Sequence, residues 1–112
     1  MTLRHILTGA FLLSACALAA SAQEFGSVQK GQAFAQMVCA ECHSVTARPS
    51  ASPNSKAPTF PTVANTSGMT AMALRTWLQT SHPTMPNIRL ETEDRDNVIA
   101  YILSLNSKNK GL

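Results

Sequence analysis

Charge is scarce in this chain. Asp, Glu, Lys and Arg make up 13% of its 112 residues, and the formal net charge is +3. No basic run interleaves with aromatics, which argues against nucleic acid as a partner. Cysteine is scarce too, with three in the whole chain: Cys16, Cys39 and Cys42. No second Cys/His pair follows Cys39, Cys42 and His43, so a four-ligand structural zinc site lacks a ligand. No strand–helix–strand pattern precedes the two close cysteines, which argues against a thioredoxin-like redox site. The one long apolar run, Ile6 to Ala20, is too short and wrongly flanked to span a membrane. No strand pattern and no internal repeat is visible, and the length suits one small domain.

What is present is Cys39-Ala40-Glu41-Cys42-His43. This C-x-x-C-H pentapeptide is the attachment signal for a c-type haem. On a helix, spacings of three and four put both thiols and the imidazole on one face. Two thiols can then bond one flat macrocycle while the imidazole reaches the iron. A simple disulfide between Cys39 and Cys42 is the bland alternative.

The N-terminus reads as a leader. Arg4 and His5 form a short positive region, the apolar run follows, and Ala20-Ser21-Ala22 supplies a small-residue cleavage site. A signal peptide over 1–22 leaves a monohaem domain over 23–112, with Arg4 lost and a net charge of +2. Leu13-Ser14-Ala15-Cys16 also matches a lipoprotein box, which would tether the domain to a membrane through a lipidated Cys16. Either way the domain is exported. Without Cys16 no thiol remains outside the pentapeptide, so no disulfide framework is available. A chain this short is marginal for a self-sufficient core, and a covalent haem would add apolar surface inside it.

The periodicity predicts three main helices and two long loops. Ser27 caps a first helix running to about Cys39, with Gly31, Phe34 and Val38 on one face. Gly31 costs helix stability, and close approach of another element is its expected use. Ser44 to Pro61 reads as loop, with Pro49, Pro53, Pro58 and Pro61 in it. A loop of that length in a compact domain calls for a functional reason, such as wrapping a cofactor edge. Thr62 to Asn65 is one short turn. Thr70 to Thr80 is the second clear helix, with Ala71, Leu74, Trp77 and Leu78 as its apolar face. Ser81 to Arg89 is the second loop. Thr92 caps the last helix, with Glu93 and Asp94 in its positive first turn and Val98, Tyr101, Ile102 and Leu105 as its buried stripe. The tail with Lys108 and Lys110 is expected to fray.

One imidazole leaves the other face of an iron open. A thioether there gives an electron carrier, and an empty place gives a gas-binding or catalytic site. Met37 lies too close to Cys39, and Met69 and Met72 read as core filler. Met85 lies between Pro83 and Pro86, and Pro86 biases it towards extended backbone. That stiffness suits an axial ligand, so His43 and Met85 are the expected iron ligands. His82 is the rival, with a solvated surface role as its bland reading.

Taken in order, these residues resemble the class I cytochromes c, specifically small bacterial monohaem ones. The motifs are Gly31 and Phe34, the C-A-E-C-H box, Ala57-Pro58-Thr59-Phe60, Trp77-Leu78, Met85-Pro86, and Tyr101-Ile102-Leu103-Ser104-Leu105. Ala57 departs from the pattern, which often has Gly there. The resemblance implies an all-α cytochrome c fold wrapped around one covalently bound haem. It implies that Gly31 and Phe34 cross the last helix at Tyr101. It further implies that the Pro58 carbonyl accepts a hydrogen bond from His43, and that Trp77 packs near the haem propionates, with plain core filling as its bland reading.

The function expected is one-electron transfer by a soluble periplasmic carrier, a monomer and not an enzyme. Its partners would be redox proteins: a dehydrogenase or reductase as donor, an oxidase or another acceptor. Lys30, Arg48, Lys56, Arg75 and Arg89 are either a positive docking rim or a solvated scatter. Two alternatives stand beside this reading. One is a dedicated haem subunit of an exported dehydrogenase. The other is a ligand-binding or peroxidatic haem protein with an open sixth position.

Overall fold

The computed structural model describes residues 26–111, Pro49 excepted. The leader expected at 1–22, with Cys16, lies outside the described residues. Four α-helices are present, α1 (Val28–Phe34), α2 (Phe60–Asn65), α3 (Ala71–Gln79) and α4 (Thr92–Ser104). No strand is found among the described residues beyond an isolated bridge pairing His82 with Met85. None of their helices is long and apolar enough to cross a membrane.

Ser27 caps α1, its hydroxyl accepting from the Lys30 amide at 3.3 Å. The helix then widens. Ala35–Cys39 is a π-turn, in which the Ala40 amide donates to the Ala35 carbonyl at 2.9 Å. The predicted helix therefore reaches Cys39, but its last five residues are not α-helical. Thr59 caps α2 by accepting from the Thr62 amide, and Pro61 falls in its first turn, where a missing N–H costs nothing. This start lies inside the segment expected to be loop. The helix expected over Thr70 to Thr80 is one residue shorter at each end, because Thr70 is the cap of α3, its hydroxyl accepting from the Ala73 amide, and Thr80 closes it.

Two other expectations are corrected. Thr92 is not the cap of α4 but its first helical residue. Glu91 is the half-in residue, extended at φ −60° and ψ 153°, and its carbonyl accepts the first helical bond from Arg95 at 3.0 Å. The C-terminal segment does not simply fray. Ser107–Gly111 forms a 3₁₀ helix, held where the Ser107 amide and hydroxyl both donate to Asn65 Oδ1 at 3.0 and 2.8 Å.

The core sits where α1, α2 and α3 pack on α4. Val98, Ile99, Tyr101, Ile102 and Leu105 of the last helix region meet Ala35, Val45, Phe60, Ala64 and Leu74. The predicted stripe of α4 is buried at each position. Met72 is the exception to its expected core role. It lies about 200° around α3 from the buried Leu74, and is 78% exposed.

The closest approach is α1 on α4. A Cβ on Gly31 would collide with the Asn97 carbonyl and stand 2.9 Å from Tyr101 Cβ. This is the predicted crossing, and only a hydrogen side chain permits it. Asn97, buried beneath, accepts from the Ser27 amide through Oδ1 at 2.7 Å and locks the start of α1. Tyr101 donates its hydroxyl to the Val45 carbonyl at 2.6 Å, fixing the chain just past His43.

Gly31→Ala is expected to push the two helices apart and cost about 1–3 kcal/mol, read as a lower denaturant midpoint with unchanged slope. Tyr101 carries a second expectation. Burial raises its pKa above the ordinary value. The folded protein therefore holds this proton more tightly than the unfolded chain does. That contribution is complete below about pH 10 and is lost as pH rises through the higher folded value. Tyr101→Phe is expected to cost about 1–3 kcal/mol at neutral pH by orphaning the Val45 carbonyl. The deficit should narrow in alkali, as paired denaturation curves on either side of about pH 10 will report.

Candidate functional site

The helices enclose one large apolar cavity of about 520 Å³. Its wall brings together Cys39, Cys42, His43, Pro58, Trp77 and Met85, the six residues expected around a haem. His82 lines it as well. Val98 and Ile102 of α4 and Leu74 of α3 floor it.

The pentapeptide continues the helical path past the π-turn. The Cys42 and His43 amides both donate to the Cys39 carbonyl, at 3.2 and 2.9 Å. That local winding holds both thiols and the imidazole to the same cavity wall. Cys39 and Cys42 are free and half-buried, not joined as a disulfide. Burial pushes the Cys39 thiol up to about 11. An unlinked Cys39 therefore stays protonated at neutral pH.

His43 is oriented from behind. Its Nδ1 lies 2.7 Å from the Pro58 carbonyl. A carbonyl only accepts, so Nδ1 carries a proton, and in the neutral ring Nε2 keeps its lone pair. The hydrogen bond expected of Pro58 is present. Its position follows from the 44–57 segment, which is tied back on the pentapeptide. The Asn54 amide donates to the Cys42 carbonyl at 3.1 Å, and the Ser44 amide to Ser52 Oγ at 3.0 Å. Phe60, whose amide donates to the Ser44 carbonyl at 2.9 Å, sets its ring 5.6 Å from His43 and 6.3 Å from Tyr101. The imidazole thus leans on an aromatic chain that ends in the core. Phe60 had been only one letter of a motif in the sequence.

Met85 lines the cavity from the loop between α3 and α4, its amide donating to the His82 carbonyl at 3.3 Å. Met69 packs against the core, as a filler should, while Met37 is 78% exposed. Trp77 lines the cavity wall and is 56% exposed. Two cations of the supposed rim are already paired. Lys30 Nζ meets Glu93 at 2.8 Å, and Arg75 meets Asp96 at 2.9 Å.

The family model for cytochrome c matches residues 28–106, from the start of α1 past the end of α4. The chain belongs to the cytochrome c family. Searches of curated proteins and of solved structures gave no significant match. Members of the family carry covalently attached haem c, and the cavity of this cytochrome fits that group. It is apolar, of cofactor size, and its wall offers two soft thiols and a preoriented imidazole lone pair.

Removing both thiols, as Cys39→Ala with Cys42→Ala, is expected to leave a polypeptide whose denatured mass is that of its amino acids alone. Either single variant should keep one thioether and the added mass of one haem. Intact mass spectrometry after acid–acetone extraction distinguishes these outcomes.

Proposed function

We propose that the chain is an exported one-electron carrier in which His43 and Met85 ligate the haem iron. The observation that carries this reading is that a preoriented imidazole and a methionine thioether, from loops 42 residues apart in sequence, line the same apolar cavity. When bound, haem supplies a ferrous–ferric couple that takes up or gives one electron.

Each residue then has a distinct part. Cys39 and Cys42 hold the ring edge through thioether links. His43 presents Nε2, while its Nδ1–H donates to the Pro58 carbonyl and makes the ring a stronger donor. Met85 would supply the second iron ligand, and a thioether favours the reduced metal. Leu74, Val98 and Ile102 keep water away, which disfavours the additional charge of the oxidised state. Trp77, on the cavity wall, would offer its indole N–H to a propionate. His82 competes poorly as a ligand because its ring is stacked on Trp77, centroids 4.7 Å apart.

In this reading residues 1–22 direct export to the periplasm, and a lipidated Cys16 would instead tether the domain. Redox proteins would dock briefly at the exposed cofactor edge, through a small interface. Arg48, Lys56 and Arg89 remain for a positive rim, since Lys30 and Arg75 already have acidic partners.

A second reading, a ligand-binding or peroxidatic protein with Met85 detached, draws on the loop that carries Met85. Among the described residues, hydrogen bonds within 81–90 are local to it.

Spectroscopy separates the two. The ferric protein is expected to show the thioether–iron charge-transfer band, to lose it in Met85→Ala, and to keep it in His82→Ala. Reduced wild type should not bind carbon monoxide at neutral pH, whereas Met85→Ala should. A band that survives Met85→Ala would remove Met85 from the iron.

A further inference from the structure

The segment 81–90 has an unusual balance of restraints. Its backbone bonds are short-range, Met85 amide to His82 carbonyl at 3.3 Å and Ile88 amide to Pro86 carbonyl at 2.8 Å. Among the described residues no hydrogen bond or ion pair ties 81–90 to a helix. Prolines at 83 and 86 stiffen the segment internally, restricting His82 and Met85 to extended backbone. Internal stiffness does not anchor it to the rest of the fold.

One aromatic contact supplies an attachment. Trp77, in the last turn of α3, stacks on His82 with centroids 4.7 Å apart and planes 26° apart. This is offset stacking, the favourable arrangement for such a pair. His82 in turn holds Met85 through the bridge between them. The path therefore runs from α3 through Trp77 and His82 to Met85, and the stack is its side-chain link.

We propose that Trp77 and His82 are positioning residues. Their stack is a clasp that holds the 81–90 segment on α3 and sets how readily the Met85 sulfur yields its place to an outside ligand. The clasp rests on the reading of Met85 as the second axial ligand. It gives Trp77 a task separate from any contact with a propionate. An outside ligand binds only the form in which Met85 has swung away, so its apparent affinity is its intrinsic affinity scaled by the population of that form. Loosening the clasp raises that population.

The experiment is a titration of ferric holoprotein with imidazole at fixed pH. The charge-transfer band reports Met85 on the iron, and the Soret shift reports imidazole. Trp77→Ala and His82→Ala should each tighten apparent imidazole binding by about three- to tenfold, the range an aromatic pair supplies. The double variant should bind no more tightly than either single one, because one contact is lost in all three. Trp77→Phe and His82→Phe should restore wild-type affinity, since each keeps an aromatic pair. Met72→Ala, on the exposed side of the same helix, should change nothing. His82→Ala carries the test alone if Trp77→Ala fails to mature.

The outcomes separate the two ideas. A wild type without the charge-transfer band would remove the axial role of Met85, and the clasp with it. A normal band with unchanged imidazole affinity in His82→Ala would overturn the clasp alone. So would additive effects in the double variant, or a His82→Phe that behaves as His82→Ala.

Discussion

The fold depends on how closely α1 lies against α4. Gly31 lets the two backbones meet without an intervening side chain. The buried Asn97 then reaches across to the amide of Ser27, the cap of α1. This contact sets where α1 points, and α1 delivers Cys39 to the cavity wall. The same face of α4 that receives Gly31 at one edge sends Val98 and Ile102 to the cavity floor. Helix packing and cofactor geometry are thus set by a single approach of two backbones.

From that contact, order is passed to His43 by short steps. Tyr101 pins the Val45 carbonyl, Phe60 packs between Tyr101 and His43, and the Pro58 carbonyl fixes the tautomer. Each step is a directional contact in a part of the chain with little regular structure. The proximal side is over-determined as a result. The Met85 wall of the cavity is different in kind, with Met85 on a stiff segment joined to α3 mainly through aromatic stacking and apolar lining.

Much of this was legible in the sequence. Spacing alone placed α3, α4 and the stripe Val98, Tyr101, Ile102 and Leu105, because one buried face leaves a strong period. Gly31 announced a close crossing, since glycine inside a helix costs stability without a packing reason. The pentapeptide marked both thiols and the imidazole outright. The resemblance to small cytochromes c supplied Pro58, which no periodicity could find, because a backbone carbonyl has no side-chain letter. What stayed hidden was tertiary or local in backbone terms. The Asn65–Ser107 contacts order the C-terminal segment across 42 residues. The Trp77–His82 stack joins residues five apart across a helix end, where helical spacing no longer applies. Glu91 displaced Thr92 as cap because helix entry is decided by φ and ψ, and both residues are compatible with it.

The widened turn over Ala35–Cys39 changes how this chain tolerates gain and loss of residues. A five-residue ring holds one member more than an ordinary helical turn. Deleting a residue there can be absorbed by closing the ring to standard winding, with the upstream packing on α4 kept. No such slack exists between Cys39 and His43, where the amide bonds to the Cys39 carbonyl are those of tight winding. Length variation between relatives should accordingly gather just before the first thiol and be absent after it.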